Sequence, residues 1–157
     1  FTVTLRDLPA RTVASVRVLD PFRAFERVTE AYEHLRRWAE PRGYADRQWL
    51  GYMWEEPEIV AMTNCRYGAA VEVDDVRPEG LIGRFELPAM RVAEVRIAGD
   101  IAMEVRALDW LYGTWLPRSG YEPDDQPAFE AWLGRPFAHG VEHFTIACQL
   151  PVRRSRC

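Results

Sequence analysis

Alternation and helical stripes divide the chain into elements. Over 12–18, Ala14, Val16 and Val18 share one face of an extended strand and Val13, Ser15 and Arg17 the other, the period-two signature of a strand with one covered side. Over 92–97, Ala93, Val95 and Ile97 oppose Val92, Glu94 and Arg96 in the same way. The inner faces are small and β-branched, as a sheet covered by helices requires, which leaves Arg17 and Arg96 as mates on the uncovered face. Asp20-Pro21 breaks the first strand and can open a helix. Phe25, Val28, Tyr32, Leu35 and Trp38 then form one stripe, and Pro41 and Gly43 end it. A partner helix is predicted over about 101–116, with Ile101, Val105, Leu108, Tyr112 and Trp115 inside and Pro117 closing it. Further strands are predicted over 49–54 and 67–73, and their counterparts over about 128–133 and 144–152.

The elements come twice because the sequence does. Leu8-Pro9-Ala10-Arg11-Thr12-Val13-Ala14-Ser15-Val16-Arg17-Val18 recurs 79 positions on as Leu87-Pro88-Ala89-Met90-Arg91-Val92-Ala93-Glu94-Val95-Arg96-Ile97, with seven of eleven residues identical. A second anchor follows in each copy, Trp38-x4-Gly43-Tyr44 and Trp115-x4-Gly120-Tyr121. Two copies are too few for a solenoid. The expected architecture is α+β, a pseudo-twofold tandem of two β-α-β-β modules in an antiparallel sheet, with helices on one face and a ligand groove on the other. It forms one domain over 1–157, with module one over about 1–77, a seam rich in Pro and Gly over 74–83, module two over about 84–152 and a basic tail over 153–157.

Composition adds exclusions. A hydrophobic share of 48% with 28% charged residues is that of an ordinary globular protein, and a net charge of −4 gives the chain no electrostatic claim on nucleic acid by itself. No apolar run approaches the length of a membrane span, and no signal peptide is present. Three Cys, at 65, 148 and 157, lack disulfide or zinc spacing, which points to a reducing, cytoplasmic setting with buried structural thiols. The chain begins at Phe1 without Met, as a fragment of a longer protein or a chain trimmed of a disordered start would.

Few motifs spell chemistry. His139-Gly140-Val141-Glu142-His143 matches the H-x-x-E-H pattern, which needs a helix to bring its ligands together. Gly140 and the β alternation that follows argue for surface histidines instead, so no metal is expected. No phosphate loop, nucleophile elbow or catalytic Cys pattern occurs. Six Trp are more than packing usually needs. Trp38 and Trp115 suit the core, whereas Trp54, beside Glu55 and Glu56, and Trp110, off the helical stripe, suit a cleft for apolar or cationic ligands.

Several ordered segments together resemble the GyrI-like small-molecule-binding domain, also known as the SbmC-like or effector-binding domain. They are the opening L-P-x-R-x-V-A, Trp38-Ala39, Leu50-Gly51-Tyr52-Met53-Trp54-Glu55-Glu56-Pro57, Arg66-Tyr67-Gly68-Ala69-Ala70-Val71-Glu72-Val73, Ser119-Gly120-Tyr121-Glu122 and Phe129-Glu130-Ala131-Trp132-Leu133. The resemblance implies a ligand groove between the modules. It implies a role as the C-terminal sensor of AraC- or MerR-type bacterial regulators, or as a standalone protein that modulates gyrase or hydrolyses cyclopropane-containing toxins. DNA would then be touched only through a separate DNA-binding domain; a homodimer is left open. Multidrug-binding and hydrolytic members carry a Glu in the last strand where this chain has Ala147, which removes a general acid/base. The expectation is therefore an effector-binding domain with no catalytic residue and no cofactor. By strand alternation Thr145, Ala147 and Gln149 line the groove, with Arg17, Met53, Trp54, Glu94, Arg96, Trp110 and Tyr121 around it, and the paired Arg favour a neutral or anionic ligand.

Overall fold

The computed structural model describes residues 1–19, 25–53, 66–137 and 143–155. The chain runs β1 (Thr4–Leu8), β2 (Arg11–Leu19), α1 (Phe25–Ala39), a 3₁₀ turn (Glu40–Arg42), β3 (Trp49–Met53), β4 (Arg66–Val73), β5 (Gly83–Leu87) and β6 (Met90–Gly99). There follow α2 (Ile101–Trp110), a π-helical stretch (Leu111–Trp115), a last turn α3 (Leu116–Ser119), β7 (Tyr121–Pro123), β8 (Phe129–Trp132) and β9 (Phe144–Arg154). The α+β class and the antiparallel pairing are those expected. No helix among the described residues is long and apolar enough to cross a membrane.

Eight strands lie in the order β1-β6-β9-β8-β3-β4-β2-β5, and β7 pairs with β9 beside them. The order is a palindrome about β3 and β8. Arg17 faces Gly68 as Arg96 faces Ala147, and at the centre Gly51 faces its own counterpart, Glu130, 79 positions on. Three strands were not anticipated, the short β7 and the two that the halves exchange. β1 leaves its own half to pair with β6, and β5 returns the exchange by pairing with β2.

That exchange closes the face without helices. β1 is one edge of the sheet and β2 lies one strand in from the other, yet only Pro9 and Ala10 join them. Two residues span at most about 11 Å between the flanking Cα atoms, so the sheet must curl until its edges meet, and Pro88-Ala89 imposes the same on β5 and β6. Inside the curl Val13, Leu50, Tyr52, Ala70, Leu87, Met90, Val92, Phe129, Ala131 and Ala147 form a second core. These side chains lie on the face where the sequence places the groove.

The other face carries the main core and both helices. Ala14, Val16 and Val18 of β2 and Ala93, Val95 and Ile97 of β6 point into it as predicted, and α1 buries Val28, Ala31, Tyr32, Leu35 and Trp38 against them. The repeated Trp-x4-Gly-Tyr is a helix ending. Gly43 and Gly120 take left-handed φ values of 80° and 79°, which glycine alone adopts freely. Each turn folds the following Tyr back onto the Trp, with ring centroids 6.0 Å apart for Trp38–Tyr44 and 6.1 Å for Trp115–Tyr121.

The stripe predicted for α2 is rotated. Asp100 caps the helix by accepting from the Met103 N–H at 3.1 Å, and the buried line is Glu104, Ala107 and Leu111, while Ile101 and Val105 are 46% and 48% exposed. Hydropathy alone puts the two aliphatics inside; the helix instead turns Glu104 inward, where a partner waits.

Candidate functional site

α1 packs over β2 and β4, and α2 over β6 and β9. Each helix thus covers its own half of the sheet and leaves the central pair, β3 and β8, as the floor of a gap between them. Alternation along β8 points Glu130 and Trp132 up into this gap, and directly opposite Glu130 is Gly51, which has no side chain to fill it. Gly51 is required there: a Cβ would lie 2.0 Å from Tyr67 Oη, 2.5 Å from Glu130 Oε1 and 2.7 Å from Tyr32 Oη.

The groups above Gly51 form one hydrogen-bonded chain. Trp132 Nε1 donates to Tyr32 Oη at 2.9 Å, Tyr32 and Tyr67 share a bond of 2.6 Å, and Tyr67 and Glu104 each bond Glu130. A carboxylate is the strongest acceptor present, so the Tyr67 proton is assigned to Glu130, and the Tyr32 hydroxyl has Tyr67 Oη at 2.6 Å and the Leu50 carbonyl at 3.2 Å as its acceptors. Glu104 is 6% exposed and its Oε1 has no partner. Burial, then the Glu130 charge and the bond to it, hold the Glu104 carboxyl well above the usual carboxylate range, so Glu104 is the protonated member. Tyr67 and Glu104 are thus both neutral donors to one carboxylate. Burial likewise raises Tyr32, Tyr67 and the Cys148 thiol, so all three stay protonated at neutral pH.

A cleft of about 420 Å³ beside α1 reaches this chain at Tyr32. Thr29, Glu33 and Arg36 of α1 form one wall and Arg135, Pro136 and Phe137 the other, with Tyr32 and Trp49 at its base. Phe137 has φ 56°, a left-handed conformation unfavourable for a large side chain. Its ring is held edge-on to Trp132, Tyr32 and Phe144, with centroids 4.7, 5.8 and 6.3 Å away.

The residues proposed from sequence lie mostly elsewhere. Glu94 and Gln149 meet across β6 and β9 on the curled side, where Glu94 accepts from Gln149 Nε2 at 2.9 Å and from Arg6 Nη1 at 2.8 Å, with Arg96 3.5 Å away. Ala147 is buried in the second core, Thr145 is half-buried, and Arg17 is exposed. Trp110 is on α2, across the sheet from them, with Phe1 against its ring at 5.5 Å. Tyr121 is used in stacking on Trp115 and accepts from Arg91 at 3.2 Å. Met53 ends β3, and Trp54 lies outside the described residues, as do Cys65, Cys157 and most of the H-x-x-E-H stretch, 139–142.

Glu94 is structural. Burial alone would raise its pKa, but the bonds from Gln149 and Arg6 and the charges of Arg6 and Arg96 outweigh it, and the net shift is downward from 4.5. A depressed folded value means stability that is present above about pH 4.5 and is lost as pH falls through the folded value. Glu94→Ala is expected to cost about 2 kcal/mol at neutral pH, shrinking in acid, as read by urea denaturation across that range.

Sequence reading missed Glu104, Glu130, Tyr67 and Gly51 as a group. The available signal was the alternation Phe129-Glu130-Ala131-Trp132, which places an acid on the helix side of a strand, 79 residues after a glycine. Position 147 holds Ala on the face without helices, whereas Glu130, on the neighbouring strand, points to the helix side.

The GyrI-like small molecule binding domain family matches residues 1–153, and the chain belongs to it. A DNA gyrase inhibitor of Edwardsiella piscicida is 28% identical over 165 aligned positions, which cover 98% of this chain and 99% of that protein. The crystal structure of the EcmrR C-terminal domain superposes with a TM-score of 0.77 at 18% identity, covering 98% of each chain. The chain spans 58% of the EcmrR chain in its complex with DNA. SAV2435 bound to tetraphenylphosphonium has a TM-score of 0.62 at 12% identity, over 98% of this chain and 94% of that one.

Proposed function

From membership of a small-molecule-binding family as premise, we propose that this protein binds an organic cation between its two helices. We propose further that it serves, in the bacterial cytoplasm, as the effector-sensing part of an AraC- or MerR-type transcription regulator, reaching DNA only through a separate domain. The observation that carries the cation reading is Glu130. It is a partly buried carboxylate whose partners among the described residues, Tyr67 and Glu104, are both neutral. The hydrogen-bonded chain that ends on it begins in an aromatic cluster, in which Tyr32 packs against Trp49 and Trp132, and Trp132 against Phe137. An unbalanced negative charge beside ring faces is the environment in which a desolvated cation gains most, through Coulomb attraction and cation–π contact. The sequence-based preference for a neutral or anionic ligand rested on the lack of a last-strand Glu at Ala147 beside Arg17 and Arg96, whereas Glu130 supplies a carboxylate on the other face of the sheet.

As a sensor, the protein must bind its ligand more tightly in one state of the regulator than in another, or nothing is switched. The end-to-end match to a gyrase inhibitor favours a second reading, a standalone modulator of gyrase, for which a supercoiling assay with and without ligand is the discriminating measurement.

The first test is calorimetric titration with tetraphenylphosphonium against tetraphenylborate, which has nearly the same shape and the opposite charge. Saturable binding of the phosphonium and none of the borate is expected. Binding of the borate alone would overturn the proposal.

A further inference from the structure

Two carboxyl groups meet between the helices and share one proton, and that sharing sets what the gap can do with a positive charge. We infer that Glu104 is a proton-holding partner of Glu130, and that an organic cation entering the gap replaces this proton, so that binding of each cation releases one proton to solvent. The inference rests on the cation reading of the gap and goes beyond it by making affinity depend on pH.

The geometry begins with α2. The helix exposes Ile101 and Val105 and buries Glu104 in their place, so its rotation delivers a carboxyl to the sheet at the expense of aliphatic burial. One oxygen of Glu104 bonds Glu130, and the other, Oε1, is buried with no partner. Two adjoining carboxylates cannot both be ionised in such a place, as like charges at short range in a poorly solvated site push one proton on. The groups facing the pair from every packed element are Tyr32 on α1, Tyr67 on β4, Glu130 on β8 and Cys148 on β9. None of these is basic, and the two phenols and the thiol keep their protons at neutral pH. The proton of Glu104 is therefore the mobile one. A cation beside Glu130 cancels the charge that holds this proton in place, the unpartnered Oε1 gives Glu104 an oxygen to turn towards the ligand, and the proton leaves for water.

Linkage gives the sign. A proton lost on binding makes the association constant rise with pH, by about tenfold per unit where the exchange is complete. Tetraphenylphosphonium is the probe. Its titration near pH 7 in two buffers of different ionisation enthalpy, phosphate and Tris, should give heats differing by the equivalent of about one proton per cation. The dissociation constant should fall as pH rises, approaching about tenfold per unit where the exchange is complete. Glu104→Gln, nearly isosteric, should bind with equal heats in both buffers and an affinity flat with pH.

Equal heats in the two buffers for the wild-type protein, with binding still lost in Glu130→Gln, would overturn the proton exchange and leave the cation reading standing. Absence of phosphonium binding by the wild-type protein would overturn both. The buffer comparison needs no variant, so a misfolded Glu104→Gln cannot mask the answer.

Discussion

Gly51→Ala is expected to destabilise the fold by about 2–4 kcal/mol and to abolish ligand binding with it. The added methyl would sit 2.0 Å from Tyr67 Oη and 2.7 Å from Tyr32 Oη. These are the ends of rigid rings, one carried by α1 and the other by β4, both held in the main core, so neither can swing aside as a lysine tip would. Making room means moving two phenols and the Glu130 carboxylate together. That breaks the chain from Trp132 to Glu130 and leaves buried donors without acceptors, a larger penalty than the methyl itself. Urea denaturation would show it as a lower midpoint at unchanged slope. Gly83→Ala, with the nearest atoms at 3.8 Å, is the control and should change stability by less than about 0.5 kcal/mol. A Gly51→Ala protein as stable as the control would mean that the floor of the gap yields.

Glu130→Gln is expected to weaken phosphonium binding by about a hundredfold, roughly 2.7 kcal/mol, while the protein remains folded. The amide keeps the size of the carboxylate and can still accept from Tyr67, so the variant separates charge from shape. Burial makes the missing charge matter: at a solvated surface the same substitution would change affinity by less than tenfold. Removing the acid also removes the repulsion that holds the proton on Glu104, so Glu104 can ionise and recover part of the attraction. The double variant with Glu104→Gln should therefore lose more than the single one, by a non-additive margin that a double-mutant cycle measures. Wild-type affinity in Glu130→Gln would remove this carboxylate from the recognition of the ligand.

Much of the sheet was legible before any coordinates. The repeat at 79 positions put Ala14, Val16 and Val18 and their counterparts on the helix side, where they are, and Trp-x4-Gly-Tyr marked both helix ends. β1 and β5 escaped because short, mostly exposed strands carry little apolar alternation. Their exchange is a fact of topology that no local pattern encodes. That exchange also curls the face without helices in on itself, because two-residue links such as Pro9-Ala10 are what force the curl. The site was illegible for a related reason. Glu130 is informative only once β8 lies beside β3 with Gly51 opposite, and Glu104 only once α2 is known to turn its aliphatic residues outward. Each of these residues looks ordinary in its own stretch of sequence, and the chemistry resides in the register that joins them.

Because each half lends its first strand to the other, the two halves are latched at both ends of the sheet as well as joined at its middle. Parting them like the jaws of a clamp would mean stripping whole ladders of backbone hydrogen bonds from β6 and β2. The floor beneath a bound molecule is in that sense a rigid anvil. Any motion that reports occupancy has to come from α1 or α2 sliding over it, and a partner that reads the ligand would do so by touching a helix.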